Sequence, residues 1–195
     1  MKKHLTQISK LCAVAAVVAL AVFTTGCKNR SNMPSESEIK AMRAQLDELL
    51  AGKELTNQYL VKFDTLDFVV YSNQEWKRLH ESHGENIKVY YPDGSVTVGI
   101  PDHIVELDKT FVFAPDTKIK QHPIRFGSGQ FTAVTGIMEG TFSKPMPLGG
   151  GKFLQPTGKK FNLPMCTVGI WDDGVMVEEH LFWDNMAFMK QIGAM

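Results

Sequence analysis

His180 and Asp184 lie in the run Met176-Val177-Glu178-Glu179-His180-Leu181-Phe182-Trp183-Asp184, whose composition predicts a strand. Alternate residues of a strand share a face, so Met176, Glu178, His180, Phe182 and Asp184 are expected on one side and Val177, Leu181 and Trp183 on the other. A histidine and a carboxylate flanking one pocket suit proton transfer, because imidazole titrates near neutrality and the aspartate can orient it or act itself. His180 and Asp184 are therefore the catalytic candidates. A purely structural account also stands, in which His180 packs against backbone and Asp184 caps a helix starting at Asn185 or Met186.

Asp67 sits in the apolar-rich stretch Leu66 to Tyr71 and faces either a pocket or a solvated helix side. His80 and His83 are three apart on a predicted helix, which can bring two ligands near one metal, but no third ligand accompanies them at suitable spacing. His80-Glu81-Ser82-His83 is also one residue short of the zinc-protease pattern. They are read as a surface pair, and no metal is expected. Gly149-Gly150-Gly151-Lys152 fails as a phosphate loop: Phe153 follows where Ser or Thr would hold magnesium, and Met146 replaces the leading glycine. It reads as a flexible loop that could cover a pocket mouth. Cys166 has no basic motif nearby and reads as a buried, inert thiol.

These residues need elements to position them. Ser35 with Glu38 forms a capping box, and Ile39, Met42, Leu46, Leu49 and Leu50 recur at helical spacing until Gly52, where the helix is expected to stop. A second amphipathic pattern from Thr56 carries Leu60, Phe63, Leu66 and Val70, and Asn73 can cap a third, short helix bearing Trp76, Leu79 and His83. Ile87, Val89 and Tyr91 alternate into the turn Pro92-Asp93-Gly94 and on to Val96 and Val98, the pattern of a hairpin. Pro101 suits the first turn of a helix carrying Ile104, Leu107 and Phe111. Strands are expected at 118–126, 130–143, 161–172 and 175–184, a Gly- and Pro-rich loop at 144–160, and a last helix at 185–193 closing on Gly193. Helices first and then long antiparallel strands predict an α+β domain with a curved sheet wrapped around N-terminal helices.

The chain starts as an exported protein would. Lys2, Lys3 and Lys10 precede an apolar run from Leu11 to Phe23, and small residues lead to Cys27, the layout of a signal peptide over residues 1–26. The run is shorter than the roughly 20 apolar residues a membrane-spanning helix needs. Thr24-Thr25-Gly26-Cys27 resembles a bacterial lipobox, with Thr24 in place of the usual Leu, which implies acylation of Cys27 and anchoring to a membrane of the envelope. Lys28 after Cys27, rather than Asp, leans towards the outer membrane. Residues 27–54 are then a lipid-anchored tether and N-terminal helix, and 55–195 the folded domain. Without residues 1–26 the chain carries 18 basic and 21 acidic side chains, which leaves no basic footprint for nucleic acid. One domain of this size buries enough apolar surface to fold without staples or metal.

Four strings, in order, carry a family likeness: Phe113-Ala114-Pro115-Asp116, Gln155-Pro156-Thr157-Gly158-Lys159, Asp173 to His180, and Asp184 followed by Gln191-Ile192-Gly193. With the element order they resemble the SnoaL-like polyketide cyclase and ester cyclase family of the nuclear transport factor 2-like superfamily, over residues 55 to 194. The resemblance implies a cone-shaped α+β barrel, often a homodimer through the outer sheet face, with an apolar pocket between sheet and helices. It implies a small apolar ligand and acid/base ring closure, isomerisation or hydration by a pocket carboxylate, without metal or organic cofactor. In the family that acid often follows the aromatic after the paired glutamates; Leu181 stands in that place here. Plain ligand carriage by a non-catalytic envelope protein is the other function the superfamily offers. Phe63, Asp67, Trp76, Phe142, Trp171 and Phe182 are the expected pocket lining.

Overall fold

The structure, a computed structural model, describes residues 33–195. The signal segment 1–26 and Cys27 lie outside the described residues. The chain separates into two units at Leu46/Asp47, and the unit Asp47–Met195 carries the sheet.

Helix α1 runs unbroken over Glu36–Thr65. The capping box forms at its start: the Ser35 amide donates to Glu38 Oε2 at 2.6 Å, and the Glu38 amide donates to Ser35 Oγ at 3.3 Å. The stop expected at Gly52 does not occur, because an isolated glycine costs a helix only about 1 kcal/mol and the good helix formers on either side outweigh it. Nor does a separate second helix begin at Thr56. From α1 the chain passes directly into a wide π turn, Leu66–Tyr71, and after Gln74 into a 3-10 helix, Trp76–Glu81. Ser72 stitches the π turn to the sheet. Its hydroxyl donates to the Asp67 carbonyl at 2.7 Å and accepts from the Ile119 amide at 2.9 Å.

The remaining elements are β1 (His83–Tyr90), β2 (Val96–Val98), α2 (Ile100–Phe113), β3 (Lys118–Ile119), β4 (Arg125–Ser128), β5 (Phe131–Thr141), β6 (Met146–Gly149), β7 (Lys152–Leu154), β8 (Lys160–Asp172), β9 (Val175–Trp183) and α3 (Asn185–Ile192). The main sheet runs β2-β1-β9-β8-β5-β3, with β4 also on β5. Its pairings are antiparallel except β1 with β9. The expected hairpin forms from β1 and β2. Pro101 lies in the first turn of α2, and Gly193 ends α3 at φ 74°, a left-handed conformation that glycine adopts without steric cost. The loop 144–160 holds a small hairpin of its own, β6 with β7.

One irregularity decides the site. Ile170 pairs with Glu178 but Trp171 pairs with Met176, so Val177 is an extra residue in β9, a β-bulge. A bulge breaks the two-residue alternation and rotates all that follows onto the opposite face. Met176, Glu179 and Leu181 are thus buried, with Trp183 continuing that face, while Glu178, His180 and Phe182 turn away. Two apolar clusters fill the inside. One gathers Phe63, Val70, Leu79, Ile87 and Trp171; the other gathers Tyr71, Phe111, Phe142, Phe161 and Ile192. Gly169 on β8 lets the first cluster close: a Cβ there would stand 2.7 Å from Met176 Sδ and 3.0 Å from Trp171 Nε1.

Candidate active site

A cavity of about 240 Å³ opens where residues of the two clusters meet. Leu66, Ile119, Met138, Met165 and Leu181 form apolar walls, and Asp93, Ser95, Lys109 and Asn185 form a polar, exposed rim. The titratable residues Asp67, Tyr71, His83, Tyr91, His103, Glu106 and Glu179 also face it. Apolar walls with a few placed polar groups are the composition of a small-molecule site.

Asp67 is brought to the cavity by the π turn, an irregularity frequent at functional sites. His122, just before Pro123, bridges two carboxylates: its Nε2 lies 2.8 Å from Asp67 Oδ2 and its Nδ1 2.8 Å from Asp64 Oδ1. Arg125 pairs with the other Asp64 oxygen. Burial pushes the Asp67 carboxyl up, and although the His122 contact pulls the other way, the net shift is upward. For His122, burial pulls downward, but the bonds to Asp67 and Asp64 outweigh it and leave the imidazolium favoured. Both ring nitrogens are then donors. The chain Arg125–Asp64–His122–Asp67 leads from half-exposed groups to a buried carboxyl on the cavity wall.

Glu179 comes from β9, turned inward by the bulge, and is 5% exposed. His83 at the start of β1 and His103 in the first turns of α2 each place Nε2 3.5 Å from Glu179 Oε2. Burial drives His103 down to about 4, against the attraction of Glu179, so its ring is neutral.

Of the expected site residues, only Asp67 lines the cavity. His180 stands on the opposite sheet face, stacked on Tyr90 with ring centroids 4.4 Å apart, because the bulge reversed the expected alternation. Asp184 caps α3, accepting from the Ala187 amide at 3.0 Å. Phe63, Phe142 and Trp171 are fully packed core, Phe182 is 54% exposed on the outer face, and Trp76 Nε1 donates to Asp108 Oδ1. His83 is not a surface residue, being 2% exposed, whereas His80 bonds the Lys77 carbonyl at the surface. The glycine loop contributes nothing to the cavity lining. Cys166 is half-buried and free, with its thiol pushed up by burial.

Sequence reasoning missed His103, His122 and Glu179. Asp64 and Asp67 at helical i, i+3 spacing were a usable sign of a carboxylate pair; nothing local marked the two histidines. His180→Ala is expected to leave the cavity's ligand affinity at the wild-type value, and Asp184→Ala to cost about 1 kcal/mol of stability through loss of the cap. Equilibrium denaturation and ligand titration check both, and a large affinity loss in His180→Ala would contradict the outward placement.

The family model for SnoaL-like polyketide cyclase matches residues 65–192. None of the curated proteins compared with the chain matches it. Among solved structures, a candidate SnoaL-like polyketide cyclase from Jannaschia sp. CCS1 is similar at 19% identity, covering 72% of this chain and 95% of that one, with a TM-score of 0.63. IdmH, a candidate polyketide cyclase from Streptomyces antibioticus, is similar at 19% identity over 70% of this chain and 99% of its own, TM-score 0.60. A protein of ketosteroid isomerase-like fold from Catenulispora acidiphila, solved with trimethylamine, shares 10% identity over 71% and 94% of the two chains, TM-score 0.54. At these identities the likeness establishes the fold, the α+β arrangement of N-terminal helices and a curved, mostly antiparallel sheet.

Proposed function

Because the chain belongs to the SnoaL-like polyketide cyclase family, we propose that its cavity binds a small, largely apolar molecule and that Asp67 moves a proton on it, in a cyclisation, isomerisation or hydration. The observation that carries this reading is a buried carboxyl with raised proton affinity on the wall of an apolar cavity, backed by His122 and Asp64. A carboxyl moved towards neutrality serves as base when ionised and as acid when protonated. The volume of about 240 Å³ is below the roughly 300–1,000 Å³ of drug-sized sites, which favours a compact guest. The test is untargeted mass spectrometry of compounds co-purifying with residues 33–195, followed by incubation of each with the protein. Chemical change supports catalysis; recovery of every bound compound unaltered favours carriage, the reading to which the walls of Leu66, Ile119, Met138, Met165 and Leu181 lend weight.

The proposal includes tethering through a lipid on Cys27. Among the described residues no helix is long and apolar enough to cross a membrane, so attachment would rest on the segment ahead of them. Cys27→Ala is expected to move the protein from the membrane fraction to the soluble one and to abolish palmitate labelling; unchanged fractionation would remove the anchor. A homodimer through the outer sheet face, where Phe182 lies exposed beside Pro164 and Cys166, is part of the same reading. A monomer in sedimentation equilibrium would eliminate it.

A further inference from the structure

We propose that His83, His103 and Glu179 form a binding site for one divalent transition-metal ion of the zinc class, with its open coordination positions facing the cavity. The three residues come from β1, α2 and β9, and their ligating atoms all lie within 4.8 Å of one another. They are 2%, 1% and 5% exposed. Three metal–ligand bonds of about 2.0–2.1 Å at tetrahedral angles set ligand atoms roughly 3.3 Å apart. Both histidine–glutamate separations are 3.5 Å.

The hydrogen bonding supports a cation over a plain ion pair. Charge-assisted N–H···O bonds run at about 2.7–2.9 Å, and 3.5 Å is too long for one. His83 Nε2 and Glu179 Oε2, both fully buried, have no hydrogen-bond partner among the described residues. Such orphaned groups are rare and need a reason. The outer ring nitrogens are held. Ser82 Oγ lies 3.3 Å from the Leu79 carbonyl, to which it can donate, and 2.9 Å from His83 Nδ1, from which it can then accept. Tyr91 OH lies 2.7 Å from His103 Nδ1 and 3.3 Å from Thr97 Oγ1, and can accept from the first while donating to the second. In those tautomers both Nε2 atoms turn lone pairs towards a carboxylate that also offers only lone pairs. Three converging lone pairs repel unless a cation sits among them. A metal-binding histidine almost always donates its outer N–H to an oxygen acceptor, the part these two hydroxyls can play.

Two imidazoles and a carboxylate prefer borderline ions such as Zn²⁺ over Mg²⁺ or Ca²⁺, which take oxygen ligands. Three protein ligands leave at least one position open, the composition of catalytic rather than structural sites. That position would face the same cavity as Asp67 and could hold a substrate oxygen. The site stands apart from the acid/base reading, since metal binding is measured without a substrate.

The test titrates the full chain, stripped with chelator, with Zn²⁺ by calorimetry and with Co²⁺ by visible absorption. One equivalent should bind, with cobalt d–d bands of a four- or five-coordinate site and two imidazoles in the X-ray absorption fine structure. Glu179→Gln should weaken binding by more than the ~10- to 100-fold typical of losing an outer support, and Tyr91→Phe, which removes one hydroxyl, by about that amount. Circular dichroism establishes that each variant is folded; should Glu179→Gln unfold, Tyr91→Phe and the wild-type spectra decide. Binding below stoichiometry in the wild type, or undiminished affinity in folded variants, overturns the site.

Discussion

Asp67→Asn is expected, from the acid/base role proposed for this carboxyl, to lower turnover of a substrate by ~10²- to 10⁴-fold, the contribution of a positioned general acid/base. Asparagine keeps the size of the side chain and its carbonyl can still accept from His122, so packing is preserved while the transferable proton is lost. A second readout needs no substrate. Burial, only partly offset by His122, raises the Asp67 carboxyl above its ordinary 3.8. Between that value and the raised one the folded chain holds a proton that the unfolded chain has released, so stability falls as pH climbs through this window. In Asp67→Asn this component disappears, and the variant gains on the wild type as pH rises. Chemical denaturation at a series of pH values measures the difference between the two proteins. Turnover within a factor of a few of wild type would end the catalytic assignment, and an unchanged pH slope would end the account of the carboxyl.

Trp171→Ala is expected to destabilise the fold by about 3–5 kcal/mol, the cost of emptying a large aromatic from a core. Trp171 is 1% exposed, stacks on Tyr59 at 4.6 Å and meets Phe63 edge-on. Its Nε1 donates to Thr132 Oγ1 at 2.9 Å, and the substitution leaves that buried hydroxyl without its partner. For a chain of this length the midpoint should fall by roughly 10 °C. The measurement also separates core from cavity. A tryptophan lining the ligand site would, when removed, alter affinity and leave the melting temperature nearly unchanged; that result would overturn the core placement.

Elements with local causes were legible in the residues. Ser35 and Glu38 satisfy each other's amides, Pro92-Asp93-Gly94 makes a turn wherever it lies, Pro101 is tolerated only at a helix start, and Gly193 accepts a left-handed backbone. Each signal acts over a few residues. The helix through Gly52 was missed because one glycine's cost is smaller than the summed preference of its neighbours. The face of β9 was misread because strict alternation assumes no extra residue, and Val177 is that residue only through its register with Trp171 on β8. A bulge is a property of two strands, and neither strand's residues announce it alone.

By itself the amino-acid order determined that helices come first and a sheet follows, that the family is SnoaL-like, and that Asp67 is a carboxylate set among apolar neighbours. Tertiary structure alone decided the site. It set His122 against Asp67 across 55 positions, gathered His83, His103 and Glu179 from three elements, and turned His180 away from the cavity. The reason is that short-range patterns reflect backbone preferences and one-sided burial, whereas proton affinity and ligand geometry depend on which distant charges share a dry interior. Those neighbours exist only after the sheet has closed over the helices.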